Sequence, residues 1–265
     1  MINVVSSAHP ARQPNGPRHS QFGFSRMPKT LREWMDTDVR SVRKKSIRWL
    51  SENYFFRDPS RPMYSDGSYF FAPADGIVLY QMRVQPDQSL VDIKGVPYSL
   101  RDAMRDPAYA QESHVIGIFM TFFDVHVNRV PYSGRLSYKE LDPVDTYNRP
   151  MLEVEKSILD DLRVRVDSAQ YLHANQRMLN RVYAPALNHA YYILQIADFD
   201  VDSIMPFELK QNRSFAQNQR FSQIRYGSQV DLIVPVSDRY RFEPLVEPGM
   251  HVEAGLDRLL RIEPT

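Results

Sequence analysis

The chain has no cysteine in its 265 residues. That absence excludes disulfides, thiolate nucleophiles, zinc ribbons and iron–sulfur clusters. No sign of charge dominates either: 33 Lys and Arg face 32 Asp and Glu, a formal net charge of +1. So even a balance gives no bulk field for nucleic acid, and no such partner is expected. Long apolar runs are missing too. Nowhere do about 18 apolar residues follow one another, so no spanning helix is predicted. The stretch from Met1 to Arg26 is rich in Pro, Ser, Gly and Arg. It holds no continuous apolar segment, so no secretory signal is predicted and the expected compartment is the cytoplasm.

What is present suits a globular domain, with 43% apolar and 25% charged residues and enough length for a sizeable core. Residues 1–27, with Pro10, Pro14 and Pro17, read as a disordered arm. Over 28–56, Leu31, Met35, Val39, Val42 and Leu50 fall near a 3.6-residue period. Arg32, Arg40, Arg43, Lys44, Lys45 and Arg48 lie mostly between them, and Trp34 and Trp49 on or beside the stripe. This pattern predicts a basic amphipathic helix, either packed on its own domain or lying against anionic lipid. Short β-like runs follow at 68–72, 76–84, 91–93, 116–123, 135–138, 191–197, 224–226 and 230–234. Residues 141–182 read as loop plus one helix through Leu152, Ile158, Leu159 and Leu162. Near the C-terminus, Gly249 and Gly255 bracket a short strand. This corner resembles that of lipoyl and biotinyl carrier domains, but no modifiable lysine stands at its tip. The expected fold is a β-rich α+β one: a barrel-like β-sandwich catalytic domain over 57–265 behind an N-terminal amphipathic helix.

Four separated segments carry chemistry. Residues 71–76 read Phe-Ala-Pro-Ala-Asp-Gly, and 91–100 read Val-Asp-Ile-Lys-Gly-Val-Pro-Tyr-Ser-Leu. Residues 118–134 hold Phe122, Phe123, Asp124, His126, Asn128 and Arg129, and 219–231 hold Tyr226, Gly227, Ser228 and Gln229. Taken singly, Gly-Ser is a turn dipeptide and Asp75 before Gly76 a good turn residue. In this order and spacing the four resemble the phosphatidylserine decarboxylase family. They are most like its shorter subtype without a membrane-spanning N-terminus, over residues 68–262 and weakly between 141 and 190.

The resemblance implies a proenzyme that cuts itself between Gly227 and Ser228. Decarboxylating an α-amino acid leaves an electron pair that no side chain can hold, so an electrophilic carbonyl is required. The family makes one from its own chain. The Ser228 hydroxyl attacks the Gly227 carbonyl, the resulting ester is eliminated, and hydrolysis leaves a pyruvoyl group on the new N-terminus. That group forms a Schiff base with the substrate amine. Neither a metal nor pyridoxal phosphate is then expected. Phosphatidylserine at a membrane surface is the implied substrate, reached by a peripheral protein. The fragment 228–265 is expected to stay paired with 1–227, and a homodimer is compatible with the sequence.

By the same resemblance, Asp75 belongs to an Asp–His–Ser relay for self-cleavage, and His126 assists decarboxylation near the pyruvoyl group. Phe122 and Phe123 are assigned to substrate binding. Arg129 stands where the better-known form has a second histidine. It either grips a substrate carboxylate or phosphate or pairs with a nearby acid. The cleavage base is left open: His126 serves both steps, or His189 or His114 substitutes. Gln176 replaces a family Glu in Asn175–Gln176–Arg177. Two rival readings stand beside this one, a pyruvoyl enzyme for a soluble amino acid and a non-cleaving binding or structural relative.

Overall fold

The computed structural model describes residues 27–265 except 55, 64, 200–202 and 209. The expected disordered arm lies outside the described residues but for Met27. Strands dominate, and every pairing among them is antiparallel. The frame is a nine-stranded sheet. Its order is Lys29–Thr30, Met250–Val252, Gly76–Val84, Ser113–Met120, Ser228–Pro235, His189–Ala197, Arg177–Ala184, Gly134–Leu141 and Arg213–Phe215.

The central strands Ser113–Met120 and Ser228–Pro235 are buried at every position, which explains their nearly unbroken apolar sequences. On one face, Val78, Ile118, Ile193 and Val230 meet Phe70, Phe242, Leu260 and Ile262. Those four come from a three-stranded sheet of Tyr240–Pro244, Arg258–Pro264 and Tyr69–Phe71. On the other face, Ile77, Phe119, Leu194 and Ile233 meet Trp34, Tyr98, Ile158 and Tyr171. Gly117 makes that second face possible. An ideal Cβ there would lie 2.5 Å from the Tyr80 ring, whose hydroxyl donates to Asp231 Oδ2 at 2.8 Å.

Two expectations are corrected. The fold is not barrel-like: no sheet among the described residues closes, and Lys29–Thr30 and Arg213–Phe215 end the large sheet as separate short edges. Gly249 and Gly255 do take left-handed conformations, with φ of 88° and 72°. The strand between them nevertheless joins the large sheet beside Gly76–Val84 rather than curling into a barrel. Nor is 28–56 one amphipathic helix. It breaks into an α turn at Leu31–Trp34, a π turn at Met35–Val39, and a helix at Ile47–Asn53. Thr37 Oγ1 donates to the Glu33 carbonyl at 2.8 Å, a back-bond that competes with the helical ladder. Ser46 then starts the second helix as its N-cap, accepting from the Trp49 N–H. Leu31, Trp34, Val39 and Leu50 are buried in the protein's own core, so the stripe does not face lipid. Further along, where one helix was expected in 141–182, there are two, Leu152–Leu159 and Tyr171–Ala174. The strand Arg177–Ala184, begun inside the region read as loop, was not anticipated.

Candidate active site

Sheet register brings the separated motifs together. Ser228 opens its strand and pairs with Met120 on one side and Ala197 on the other. One strand further out, Ile77 pairs with Phe119. The residues just outside these pairs are Gly76, Thr121, Gly227 and Asp198, with Asp75 one residue beyond Gly76, so they gather along one end of the sheet at strand spacings of about 4.8 Å. Gly76 permits this approach: its φ is 152°, and an ideal Cβ would lie 2.1 Å from the Phe119 carbonyl oxygen.

At the junction itself, the buried Ser228 Oγ donates to Met120 Sδ at 3.1 Å. An ideal Cβ on Gly227 would lie 2.7 Å from Asp198 Oδ2. The other oxygen of that carboxylate, Oδ1, accepts from the Met151 N–H at 2.9 Å. Tyr226, immediately before, has φ of 65°, a left-handed conformation that strains a bulky side chain. Backbone strain therefore sits one residue from the Gly227–Ser228 peptide.

His126 is buried beside the junction. Its Nε2 is 3.0 Å from the Thr121 carbonyl. A carbonyl only accepts, so Nε2 carries the proton and Nδ1 keeps its lone pair. Burial pulls the His126 pKa below the usual range, partly opposed by the Thr121 bond and by the charges of Asp124 and Asp75. The ring is therefore neutral at neutral pH. Asp124 pins the adjoining turn: its Oδ2 accepts from the Thr121 N–H and hydroxyl at 2.8 and 2.6 Å. Its Oδ1 lies 2.7 Å from His251 Nε2, and Trp34 stacks on the His251 ring at 5.1 Å.

Glu155 lies on the same flank, its Oε1 accepting from the Phe122 N–H at 2.9 Å. Burial, with the charges of Asp198 and Asp124, pushes its pKa up to about 8, against the lowering effect of that N–H bond. In the unfolded chain this carboxyl ionises near pH 4.5. Between there and pH 8 the folded state holds the extra proton, so stability falls as pH rises through that window. Glu155→Gln is expected to flatten that decline, and melting temperature measured from pH 5 to 9 checks it.

Asp75 is buried and doubly held. Arg61 donates to both its oxygens at 2.6 Å, and the Ala254 N–H donates to Oδ1 at 2.7 Å. A cavity of about 190 Å³ opens against it, lined by Arg57, Arg61, Phe123, Asp124 and His251 among others. Arg57 donates to the Phe123 carbonyl at 2.6 Å. Of the residues assigned to substrate, Phe123 borders this cavity, whereas Phe122 contributes the N–H that Glu155 accepts. The Arg129 guanidinium lies 3.6 Å from Asp58 and donates to the Asn218 carbonyl at 3.0 Å.

His114 and His189 are elsewhere. His114 pairs with Val234, and His189 Nε2 donates to the Pro235 carbonyl at 2.8 Å. Both lie at the far end of the strand that Ser228 begins, about 20 Å away at ~3.4 Å per residue. Neither can serve as the cleavage base. Sequence reading missed Asp198, Glu155, Arg61 and the Asp124–His251 pair. The one available signal was a carboxylate directly after the apolar strand His189–Ala197. Among the described residues, no three His, Asp or Glu side chains are grouped to hold a metal ion.

Comparison with known proteins gives one answer. The family described as phosphatidylserine decarboxylase matches residues 53–259. A phosphatidylserine decarboxylase proenzyme of Erythrobacter litoralis is 32% identical over 210 residues, covering 78% of this chain and 72% of its own. That of Chlorobium phaeobacteroides is 30% identical over 186 residues, covering 70% and 68%. That of Cupriavidus pinatubonensis is 28% identical over 209 residues, covering 79% and 77%. With the family matched over most of its length and the family's motif residues gathered at one end of its central sheet, this chain belongs to the phosphatidylserine decarboxylase family.

Proposed function

We propose that the chain is a proenzyme that cuts itself between Gly227 and Ser228, and that its mature form decarboxylates phosphatidylserine to phosphatidylethanolamine. One observation carries the reading. A Gly-Ser peptide whose glycine lies against the Asp198 carboxylate begins a fully buried central strand, with Asp75 and His126 close by. The residues fit the origin of a pyruvoyl group, which when formed supplies the electrophilic carbonyl that holds the electrons left by carbon dioxide.

In this reading Ser228 is the nucleophile and Gly227 supplies the carbonyl. His126, neutral and with its Nε2 proton held at the Thr121 carbonyl, assists the loss of carbon dioxide. Asp75 acts on His126 through its charge, from a carboxylate fixed by Arg61. Phe123 borders the space for the head group, Phe122 holds the adjoining turn through Glu155, and Arg129 braces the strand beneath through Asp58. The fragment 228–265 stays bound after the cut. Its strand Ser228–Pro235 lies between Ser113–Met120 and His189–Ala197, and Met250–Val252 lies beside Gly76–Val84.

No helix of the described residues is long and apolar enough to cross a membrane, so a lipid substrate is met from the surface. One observation favours a second reading. The N-terminal stripe is turned inward, as a soluble amino acid substrate would allow. Purified protein assayed for carbon dioxide release separates the two. Release from phosphatidylserine vesicles and none from free amino acids supports the lipid. The reverse result assigns a soluble substrate.

A further inference from the structure

We propose that Gln229 is a positioning residue for the group formed at residue 228: its side chain, locked by Tyr80, Asp231 and Tyr171, holds the new chain end in place once the Gly227–Ser228 peptide is cut. The inference rests on the self-cleaving reading above. It concerns the face of the central sheet opposite the Ser228 hydroxyl, and it acts through the chain rather than on that hydroxyl.

The need arises from the cut itself. In the intact chain residue 228 is tied covalently to Gly227 and lies between Met120 and Ala197. A pyruvoyl group carries no nitrogen, so after the cut position 228 has lost both that tie and its own N–H. The first residue of the strand with a complete backbone is then Gln229. Chain ends fray unless something ties them down.

Gln229 is tied down on every side. It has no exposed surface. Its Nε2 donates to the Tyr80 hydroxyl and to Asp231 Oδ1, both at 2.7 Å. Its Oε1 accepts from the Tyr171 hydroxyl at 2.7 Å, and Tyr80 in turn donates to Asp231 Oδ2 at 2.8 Å. Both amide hydrogens are used and the amide oxygen is taken, so the side chain has one orientation. Burial pushes the Asp231 pKa up to about 6, opposed by the bonds from Gln229 and Tyr80 and by the Arg177 charge. The carboxylate is thus ionised at neutral pH, and the bonds it accepts are of the stronger, charge-assisted kind.

The strands are built to allow this. Gly117 pairs with Asp231 on one side and with Tyr80 on the other. Its missing side chain leaves the space that the Tyr80 ring fills, and from there the hydroxyl reaches the strand Ser228–Pro235. Tyr80 and Tyr171 belong to residues 1–227, Gln229 and Asp231 to 228–265. Three of the four bonds therefore join the two fragments. None of the four involves Gly227 or Ser228, so the cut breaks none of them. Four polar side chains in an otherwise apolar layer are costly to bury, and their place beside the cut gives them a use.

Two variants of the full chain test this. Gln229→Met keeps the length of the side chain and removes its three bonds, and Tyr171→Phe removes one and keeps the ring. Serine labelled at its α carbon with the NMR-active carbon isotope puts the label on the ketone at position 228. Its signal reports how that group is held without any substrate. The wild type is expected to give one ketone line. Both variants are expected to cut to completion yet give shifted or additional lines. Carbon dioxide release from phosphatidylserine vesicles, per ketone-bearing chain, is expected to fall roughly 10- to 100-fold in kcat with KM within about threefold. Melting temperature records any loss of stability separately.

A ketone line or a kcat unchanged in variants that melt lower assigns the network to packing and overturns the inference. Variants that fold but do not cut place its action before the cut and overturn it too. Should Gln229→Met fail to fold, Tyr171→Phe decides alone by the same criteria. If the wild type cuts but leaves phosphatidylserine untouched, the lipid reading falls and the ketone line decides. A wild-type chain that never cuts removes the self-cleaving reading itself, and this inference with it.

Discussion

Ser228→Ala is expected to leave a single 265-residue chain that neither cuts itself nor releases carbon dioxide. The reason lies in the geometry around one oxygen. Ser228 begins one of the two strands buried at every position and has no exposed surface, so no water or neighbouring hydroxyl can stand in for Oγ at the Gly227 carbonyl. Without the attack there is no ester, no elimination and no electrophilic carbonyl. Alanine fits the same space. The hydroxyl's partner is Met120 Sδ, a weak acceptor whose loss costs about 1 kcal/mol or less. Folding should therefore survive while activity vanishes, and a denaturing gel together with a decarboxylation assay reads both. Activity retained by Ser228→Ala would falsify the proposed chemistry.

Arg61→Met is expected to produce the largest loss of stability of any single change near the site. Arg61 and Asp75 form a bidentate ion pair, with side chains only 6% and 5% exposed. Arg61 also donates to the Ala254 carbonyl at 2.7 Å, tying the residue before Gly255 to the chain before the first long strand. Removing the arginine leaves a buried carboxylate whose remaining donor is the Ala254 N–H. Breaking a buried pair from one side typically costs about 3–5 kcal/mol. For a chain of this size that lowers the melting temperature on the order of 10 °C. Converting Asp75 to Asn in the same chain should recover part of the loss, because the stranded charge is then gone. Equal melting of Arg61→Met and wild type would show that the pair contributes little to the fold.

The parts of the site that were legible in sequence are those carried by local motifs. Gly227, Ser228, Asp75 and His126 were identified from short segments, and strand register brings those segments to one end of the sheet. Asp198 and Glu155 were not legible, because neither belongs to such a segment. Asp198 meets Gly227 only because Ala197 pairs with Ser228 rather than with a neighbour, and a shift of one residue would turn the carboxylate to the other face. Arg61 sits in a stretch without helix or strand, where no periodicity shows which way a side chain points.

The two corrected expectations fail for related reasons. The stripe through Leu31, Val39 and Leu50 was read correctly as apolar. Period alone does not say whether such a stripe covers a protein core or a membrane, and Trp34 on His251 shows that it covers the core. The signals that break the helix, Thr37 and Ser46, are single polar residues whose capping and back-bonding compete weakly with a long periodic pattern. The turn glycines at 249 and 255 were also read correctly as turns. Closure into a barrel depends on where the outermost strands lie, which no local corner determines.

Intact mass spectrometry of the purified chain under denaturing conditions tests the central claim most directly. The expected result is two species, residues 1–227 and residues 228–265, the smaller lighter by one ammonia because a pyruvoyl group replaces its N-terminal serine. A single uncut chain of 265 residues, unchanged over days, would contradict it.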